Sequence, residues 1–496
     1  MGVPSVIVKK SSQGGFPALQ EISGILALIA SSSTGTANVA GLYTNQGQLT
    51  TAFGLGPLPE YGAYDINVSG KAVVAIKSSP SIAATYSSIT STITGSGGVT
   101  AGSTAPYEHY SVIVTVVNGF TKGTTGGTYT YSLDGGNTMS GVQAVGTASS
   151  ITIPNSGVSF ALNTGTYNAG DTWSCFTERP LMNNSDITTS LNTLNQTRLP
   201  WEGVLIDCAY STGTVGEIDT WLTGREAQGQ FNFGVINTRF LTEPTPTGET
   251  PNNYATAMTS LTSADSSNRI CVGADGGHVV SLITGLNLKR PTALALCAMA
   301  MALTPNIGIS PSYVANGPVP GFQISQNSNP FDWDEAVYGG TSGLLDPLRL
   351  VTLRSFSPGG PTGCYITNPN VFAPSGSSII YLQLLRVLNK ACSISWQILN
   401  TQLGKGVATV LNTTTGAINV DERDAQTIEG LVNPALKSGL SGQVTAVQFA
   451  LNRDDNLATA GQPVNGTVSV APLFYIPGFQ VTVALVKTIT APTGGV

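Results

Sequence analysis

Charge is what this sequence has least of. Asp, Glu, Lys and Arg make up 10% of its 496 residues, against about 25% in ordinary soluble domains. The formal net charge is −6, and the adjacent basic pairs are Lys9-Lys10 and Lys289-Arg290. That excludes the basic stripes that hold nucleic acid. His109 and His278 stand far apart. The six cysteines, Cys175, Cys208, Cys271, Cys297, Cys364 and Cys392, never form Cys-x-x-Cys. No zinc-ligand spacing exists, so no metal is expected, and the thiols are expected reduced and buried in a protein that folds in a cytosol. There is no Walker-type phosphate loop and no nucleophile elbow, so no cofactor is expected. No apolar run reaches the roughly 18 residues of a membrane span. Lys9-Lys10 ahead of "ISGILALIA" could mimic a signal peptide, but Glu21 and a Gly-Gly-Phe-Pro turn intervene.

Gly, Ser and Thr are abundant, and 41% of residues are hydrophobic. This is a β-rich composition with several cores' worth of chain, not a disordered one. "VPSVIVKK" at the start reads as a strand, tethered by "SSQGGFP". "FYIPGFQVTVALVKTIT" near the end alternates with period two. Phe479, Val481, Val483 and Leu485 share one face; Gln480, Thr482 and Ala484 share the other. A strand at each end with no evident neighbour invites pairing with another chain; the alternative is that the two ends pair with each other or with their own sheet.

Between them, "GILALIASSSTG" reads as a buried strand, "LYTNQGQLTTAFG" as a short helix closed by Gly54, and "YDINVSGKAVVAIKSS" as one or two strands. From Ser91 the pattern becomes all β, with turns every 8–12 residues and a hairpin signal at Asp134-Gly135-Gly136-Asn137. From Asn183 a β-α-β rhythm returns, which favours parallel pairing. "PTALALCAMAMAL" reads as a buried helix with Met299 and Met301 as core filler. A helix of about 25 residues is expected over "SSIIYLQLLRVLNKACSISWQILNTQL", with Leu385, Leu388, Cys392, Trp396, Leu399 and Leu403 as its apolar stripe. "VDERDAQTIEGLVNPALKSGL" is a second helix with acids in its first turn, ended or kinked by Pro434.

Two acidic clusters are the remaining candidates for chemistry. Asp332, Asp334 and Glu335 in "FDWDEAVYGG" could serve glycoside hydrolysis or bind Ca²⁺, or be a solvated turn. "DERD", Asp421, Glu422, Arg423 and Asp424, is either a charged first helical turn or a contact to a partner.

The order of these pieces resembles the contractile-tail sheath proteins of bacteriophages. "GILALIASSSTGTANVAGLYTNQGQLTTAFG…GKAVVAIKSS" is similar to that family's opening domain. A long helix, a second helix ending "ALKSGLSG", the strand "VTAVQFALNRDDN", a hairpin and a terminal apolar strand match its ending. The first loop lacks the family's frequent Gly-Pro, and the long helix carries Arg386 where the family often has an arginine-rich start.

The resemblance implies an α+β, multidomain structural protein that is not an enzyme. An N-terminal arm (1–19) would hold an exchanged strand. A small α/β domain (20–94), an inserted β-sandwich on the outer surface (95–180), an α/β domain (181–370) and a C-terminal α+β domain (371–496) would follow. Strand exchange would run through Val6, Ile7 and Val8 at one end and Val481, Val483 and Leu485 at the other. Asp421, Glu422, Arg423 and Asp424 would touch the tube or another partner. The partners would be further copies in a helical polymer, the tail tube, the baseplate and the tail terminator, with no direct membrane or nucleic-acid contact. The protein would sit in the virion after assembly in the host cytoplasm. Left open are a static tail or surface-lattice role and a carbohydrate-active enzyme built on Asp332, Asp334 or Glu335.

Overall fold

The structure is a computed structural model and describes residues 24–147, 149–197, 199–242, 249, 251–309, 317–324, 345–356, 363–403, 406–457 and 464–473. Val6, Ile7, Val8, Asp332, Asp334, Glu335, Val481, Val483 and Leu485 lie outside the described residues.

The centre is a six-stranded sheet. Its strands run in the order Ile270–Gly273, Phe233–Asn237, Gly203–Ile206, Leu26–Ala30, Val73–Lys77, Ala40–Tyr43. The first five are parallel and the last is antiparallel. Leu26–Ala30 is buried along its whole length, as expected for a parallel strand covered on both faces. Alternation decides which side each residue serves. Leu26, Leu28 and Ala30 pack with Leu49, Phe53, Leu58 and Tyr61 and with the helix Thr292–Ala302. Ala27 and Ile29 pack with Ile187 and Leu191, Ile218 and Leu222, and Tyr254 and Met258, from the helices Asn184–Gln196, Thr214–Glu226 and Pro251–Thr262. Thr292–Ala302 is apolar all round and, through Met301, buried all round, with Met299 and Met301 in the core.

This sheet corrects the domain division. Residues 20–94 and 181–370 do not form separate α/β domains. Leu26 faces Val73 on one side and Gly203 on the other, so both segments build one sheet.

A second correction concerns "YDINVS". It belongs to a helix, Pro57–Ser69, not to a strand. Pro57 sits at its first turn, where the missing N–H costs nothing. Gly70 closes it in the left-handed region (φ 68°), with its N–H donating to the Ile66 carbonyl. The strand begins only at Val73.

Between Thr85 and Glu178 the described residues form strands and no helix. Ser111–Asn118 and Thr172–Glu178 pair antiparallel and alternate, with Val112, Val114, Val116, Trp173 and Cys175 turned inward. A three-stranded sheet of Ser150–Thr152, Ser159–Leu162 and Val99–Ala101 contributes Ile151, Phe160 and Leu162 to the same apolar cluster. Thr85–Tyr86 and Thr90–Thr92, which precede residue 95, already pair with Thr172–Glu178. Asp134 organises the long hairpin loop by accepting from Ser132, Thr138 and the Asn287 N–H.

The C-terminal part is two helices and a ribbon. The long helix spans Leu382–Asn400, 19 residues rather than about 25. Its buried face carries Val387, Ala391, Ile394 and Ile398. The expected stripe lies one position round: Leu385 is buried, but Trp396 is 40% and Leu403 68% exposed. The second helix, Glu422–Gly439, passes through Pro434 without ending there. Val432, Leu436 and Ala425 are its buried residues, and Ile428, Leu431 and Ala435 are half-buried beside them.

Candidate assembly surface

The first turn of Glu422–Gly439 is where "DERD" falls. Asp421 caps the helix by accepting from the Arg423 N–H at 3.0 Å. The Asp424 carboxylate accepts from the Ala408 N–H at 2.5 Å. Glu422 pairs with Arg453 at 3.0 Å, and Arg453 also pairs with Glu429. The three acids are therefore engaged within the chain. Arg423 lies 3.2 Å from Asp421 and, with its side chain 88% exposed, is the group most open to solvent.

The two helices carry an antiparallel ribbon of Val444–Leu451 and Gly466–Pro472. Its register pairs Gln448 with Ser469, Phe449 with Val468 and Ala450 with Thr467. One face is apolar: Val447, Phe449 and Leu451 are buried, and Val468 and Val470 are half-buried. The other face, Ala446, Gln448, Ala450, Thr467, Ser469 and Ala471, is exposed. A two-stranded ribbon is marginal unless a further strand or a helix supports it.

The two edges of the ribbon differ. In an antiparallel ladder alternate residues turn both backbone groups outward. Phe449 is such a residue. Its N–H donates to Asn433 Oδ1 at 2.7 Å, and its carbonyl accepts from Asn433 Nδ2 at 3.0 Å. The Leu451 N–H donates to Glu429 Oε1 at 2.8 Å. Side chains of the second helix thus take the place of a neighbouring strand along this edge. A groove of about 790 Å³ near Val444 is lined by residues of both strands and of the second helix, among them Asn433, Lys437, Leu440, Val444, Val447 and Val470. On the far edge, by the same alternation, Val468 and Val470 turn outward, with no backbone partner among the described residues.

A second set of polar residues joins the β-rich segment to the sheet. Arg290, on the hairpin Gly276–Val280/Asn287–Pro291, donates to Glu108 at 2.7 Å and lies 3.3 Å from Glu60. All three are buried. Burial pushes the Glu108 carboxyl up to about 7, against the pull of Arg290. Arg179 forks onto Asp207 and also pairs with Glu178. Burial raises the Glu178 carboxyl, but Arg179 and His109 outweigh it and hold the group at about 2. Lys289 pairs with Asp275 at 2.9 Å, and its ammonium lies 5.4 Å from the Phe240 ring centre. Leu288, on the same strand as Lys289 and Arg290, enters the apolar cluster of the β-rich segment. A third buried pair, Arg386 with Glu202 at 2.6 Å, ties the long helix to the central sheet.

Sequence reading missed Asn433, Glu429, Glu108 and Arg290. Lys289-Arg290 stood out as a basic pair, yet both side chains are buried. Among the described residues no group of three His, Cys, Asp or Glu side chains could hold a metal ion, and no helix is long and apolar enough to cross a membrane.

No protein-family model and no curated protein matches the sequence. Among solved structures the fold is similar to the helical sheath of the anti-feeding prophage in its contracted state. The TM-score is 0.50, at 8% identity, over 98% of this chain and 100% of that one. The chain has a contractile-sheath fold. It also shares likeness with the PVC extracellular contractile injection system sheath in its contracted state (TM-score 0.49, 10% identity, 97% and 98% covered). The sheath tail protein of Listeria innocua gives 0.42 at 15% identity, with 91% and 95% covered.

Proposed function

We propose that this chain is a structural subunit of a contractile phage tail sheath. Copies stack helically around a tail tube, in a heterologous arrangement that does not close on itself. Contraction then drives the tube through the host envelope. The observation that carries this reading is the agreement in fold with a helical sheath across 98% of the chain. The work comes from rigid-body rearrangement of subunits assembled in a strained state, so neither nucleotide nor metal is required.

Neighbouring copies stay connected by strand exchange, through Val6, Ile7 and Val8 at one end and Val481, Val483 and Leu485 at the other. Main-chain hydrogen bonds supply the affinity of such a joint, and alternate side chains supply its register. The ribbon Val444–Leu451/Gly466–Pro472 supports this reading, because it presents backbone groups without a neighbour among the described residues. The β-rich segment faces outward, and Arg423 is the group of the "DERD" turn left to meet the tube or another partner. The tube, baseplate and tail terminator are the remaining partners, in a virion assembled in the host cytoplasm.

Electron microscopy of the purified protein tests the proposal. Hollow striated tubes are expected. Monodisperse monomers at high concentration would count decisively against it.

A further inference from the structure

Arg225 is a buried cation without an acid. It lies in the last turn of the helix Thr214–Glu226 and keeps 7% exposure. Its guanidinium carbon stands 4.5 Å from the Trp201 ring centre and 5.1 Å from that of Trp221. The two indoles are nearly parallel, 14° apart in plane, with their centres 6.1 Å apart. Nε donates to Asn232 Oδ1 at 3.0 Å, and Nη1 donates to Asn195 Oδ1 at 2.7 Å. Asn232 Nδ2 donates in turn to the Trp201 carbonyl at 2.8 Å, which fixes its oxygen towards the arginine.

The acceptors are neutral amides. Arg179, Arg290 and Arg386 are also buried, and each of them meets a carboxylate. Arg225 has no carboxylate partner among the described residues, and its Nη2 donates to nothing there. Burial pulls its pKa down to about 10, with no acid to oppose the shift. The indole faces and the carbonyl end of the helix offset part of that cost. They do so without using the third nitrogen.

We infer that Arg225 is a docking point for an acidic side chain of a second copy, whose carboxylate accepts from Nη2 in the assembled sheath. The inference rests on the self-assembly reading and adds a contact point and its chemistry. A single isolated cation suits a single carboxylate, whereas a polyanion needs several cations. The chain has 27 acidic residues against 21 Lys and Arg, so a neighbouring copy carries carboxylates in excess. The surroundings have the composition of a contact centre, where tryptophan and arginine are enriched. Trp221 is half-buried beside the guanidinium. At the same end of the helix, Gly229 touches Trp396, which is 40% exposed. Because the two amides and the two indoles already hold the guanidinium in one orientation, docking orders no flexible side chain on this partner.

Two variants of the full-length protein test this. Arg225→Lys keeps the charge and supplies a primary amine. A carbodiimide joins such an amine to a touching carboxylate as an amide and takes up the water as its urea; the parent guanidinium forms no such bond. In polymer mixed from light and nitrogen-15 subunits, the cross-linked peptide should join position 225 of one copy to an Asp or Glu of another. Arg225→Gln removes a buried charge that has no acid. Its soluble subunit should melt no lower than the parent, while the concentration needed for tubes should rise about tenfold or more.

A cross-link confined to one copy would show that the acid is the chain's own, and would overturn the inference. Tubes of Arg225→Lys without any cross-link at position 225 would overturn it and leave the sheath reading standing. Loss of tubes in either variant counts for the contact where the melting temperature is kept, and against it where the fold is lost too. Arg225→Gln that assembles like the parent would show that the cation serves only its own core. A parent protein that forms no tubes would remove the self-assembly reading, and this contact with it.

Discussion

Arg290 donates to Glu108 at 2.7 Å, across 182 positions of sequence. One residue belongs to the hairpin that feeds the buried helix Thr292–Ala302, the other to the β-rich segment. Neither carries appreciable exposure. The β-rich segment is therefore not loosely tethered: its position is set by ions held out of water.

Glu108→Ala should cost about 3–5 kcal/mol, because it removes a carboxylate from a guanidinium that stays buried. The triple change Glu60→Gln, Glu108→Gln and Arg290→Met should recover much of the loss, since it removes all three buried charges at similar volume. Urea unfolding of the parent and of the Glu108→Gln, Arg290→Met and Glu108→Gln/Arg290→Met proteins measures the coupling of the pair. Additive effects would show that the pair does not hold the joint.

The same joint bears on excision. Removing residues 96–179 takes Glu108 from Arg290 and Arg179 from Asp207, and takes from Leu288 the apolar cluster it packs into. The simple deletion should be poorly soluble. Adding Asp207→Asn and Leu288→Thr, with Arg290 kept for Glu60, should restore a soluble chain that still forms tubes. Tubes lost in the compensated deletion would argue against placing the segment on the outside.

Asp65 gives a pH prediction. It is fully buried on the helix Pro57–Ser69, and burial pushes its carboxyl from 3.8 up to about 7, against smaller pulls from Ser69 and Lys71. A pKa raised on folding means that the folded state binds the extra proton. Stability from this group is complete below about pH 3.8, falls as pH rises from there to about 7, and then levels. Asp65→Asn lacks that fall. It should be more stable than the parent at pH 8 by about 1 kcal/mol or more, and the gap should narrow below pH 4. Equal melting temperatures at pH 8 would refute this.

Gly229 and Trp396 touch. A Cβ added to Gly229 would fall 2.0 Å from the indole ring, and the residue has φ +75°. Gly229→Ala should therefore destabilise by about 1–3 kcal/mol and turn Trp396 outward. A red shift of tryptophan emission on this change alone, absent in Trp396→Phe, checks the contact.

The terminal strands lead to a separate pair of tests. Deleting Met1–Lys10 should leave a folded, soluble subunit that forms no tubes, because "SSQGG" sets that segment apart. Unfolding instead would place it in its own subunit's sheet. Proline at Val481, Thr482 or Val483 samples both directions of the N–H, and at least one should keep the melting temperature of the subunit while abolishing tubes. If all three melt the subunit as much as they block assembly, the segment is not donated.

Much of the fold was legible from local pattern. The run Leu26–Ala30, the all-apolar helix Thr292–Ala302, the alternation in Ser111–Asn118 and the capped start of Glu422–Gly439 are each dictated by residues close in sequence. Burial on both faces, on all sides or on alternate residues leaves a mark that a short window can read. Even the helix over "YDINVS" carried its signals in Pro57 and Gly70, which flank it.

What only tertiary structure decided is how distant pieces meet. Leu26 lies between Val73 and Gly203, so one sheet is built from segments that the β-rich residues separate. Parallel pairing across such a gap has no local signature. The face of the long helix was misjudged because Trp396 and Leu403 are as apolar as Ile394 and Ile398, and only the packing of neighbours chooses between adjacent stripes. Asn433 is unremarkable in sequence, and becomes an edge cap only because Phe449 comes to lie beside it. Hydrogen bonds and ion pairs between distant residues depend on three-dimensional position, and that is set by the whole core rather than by the residues that make them.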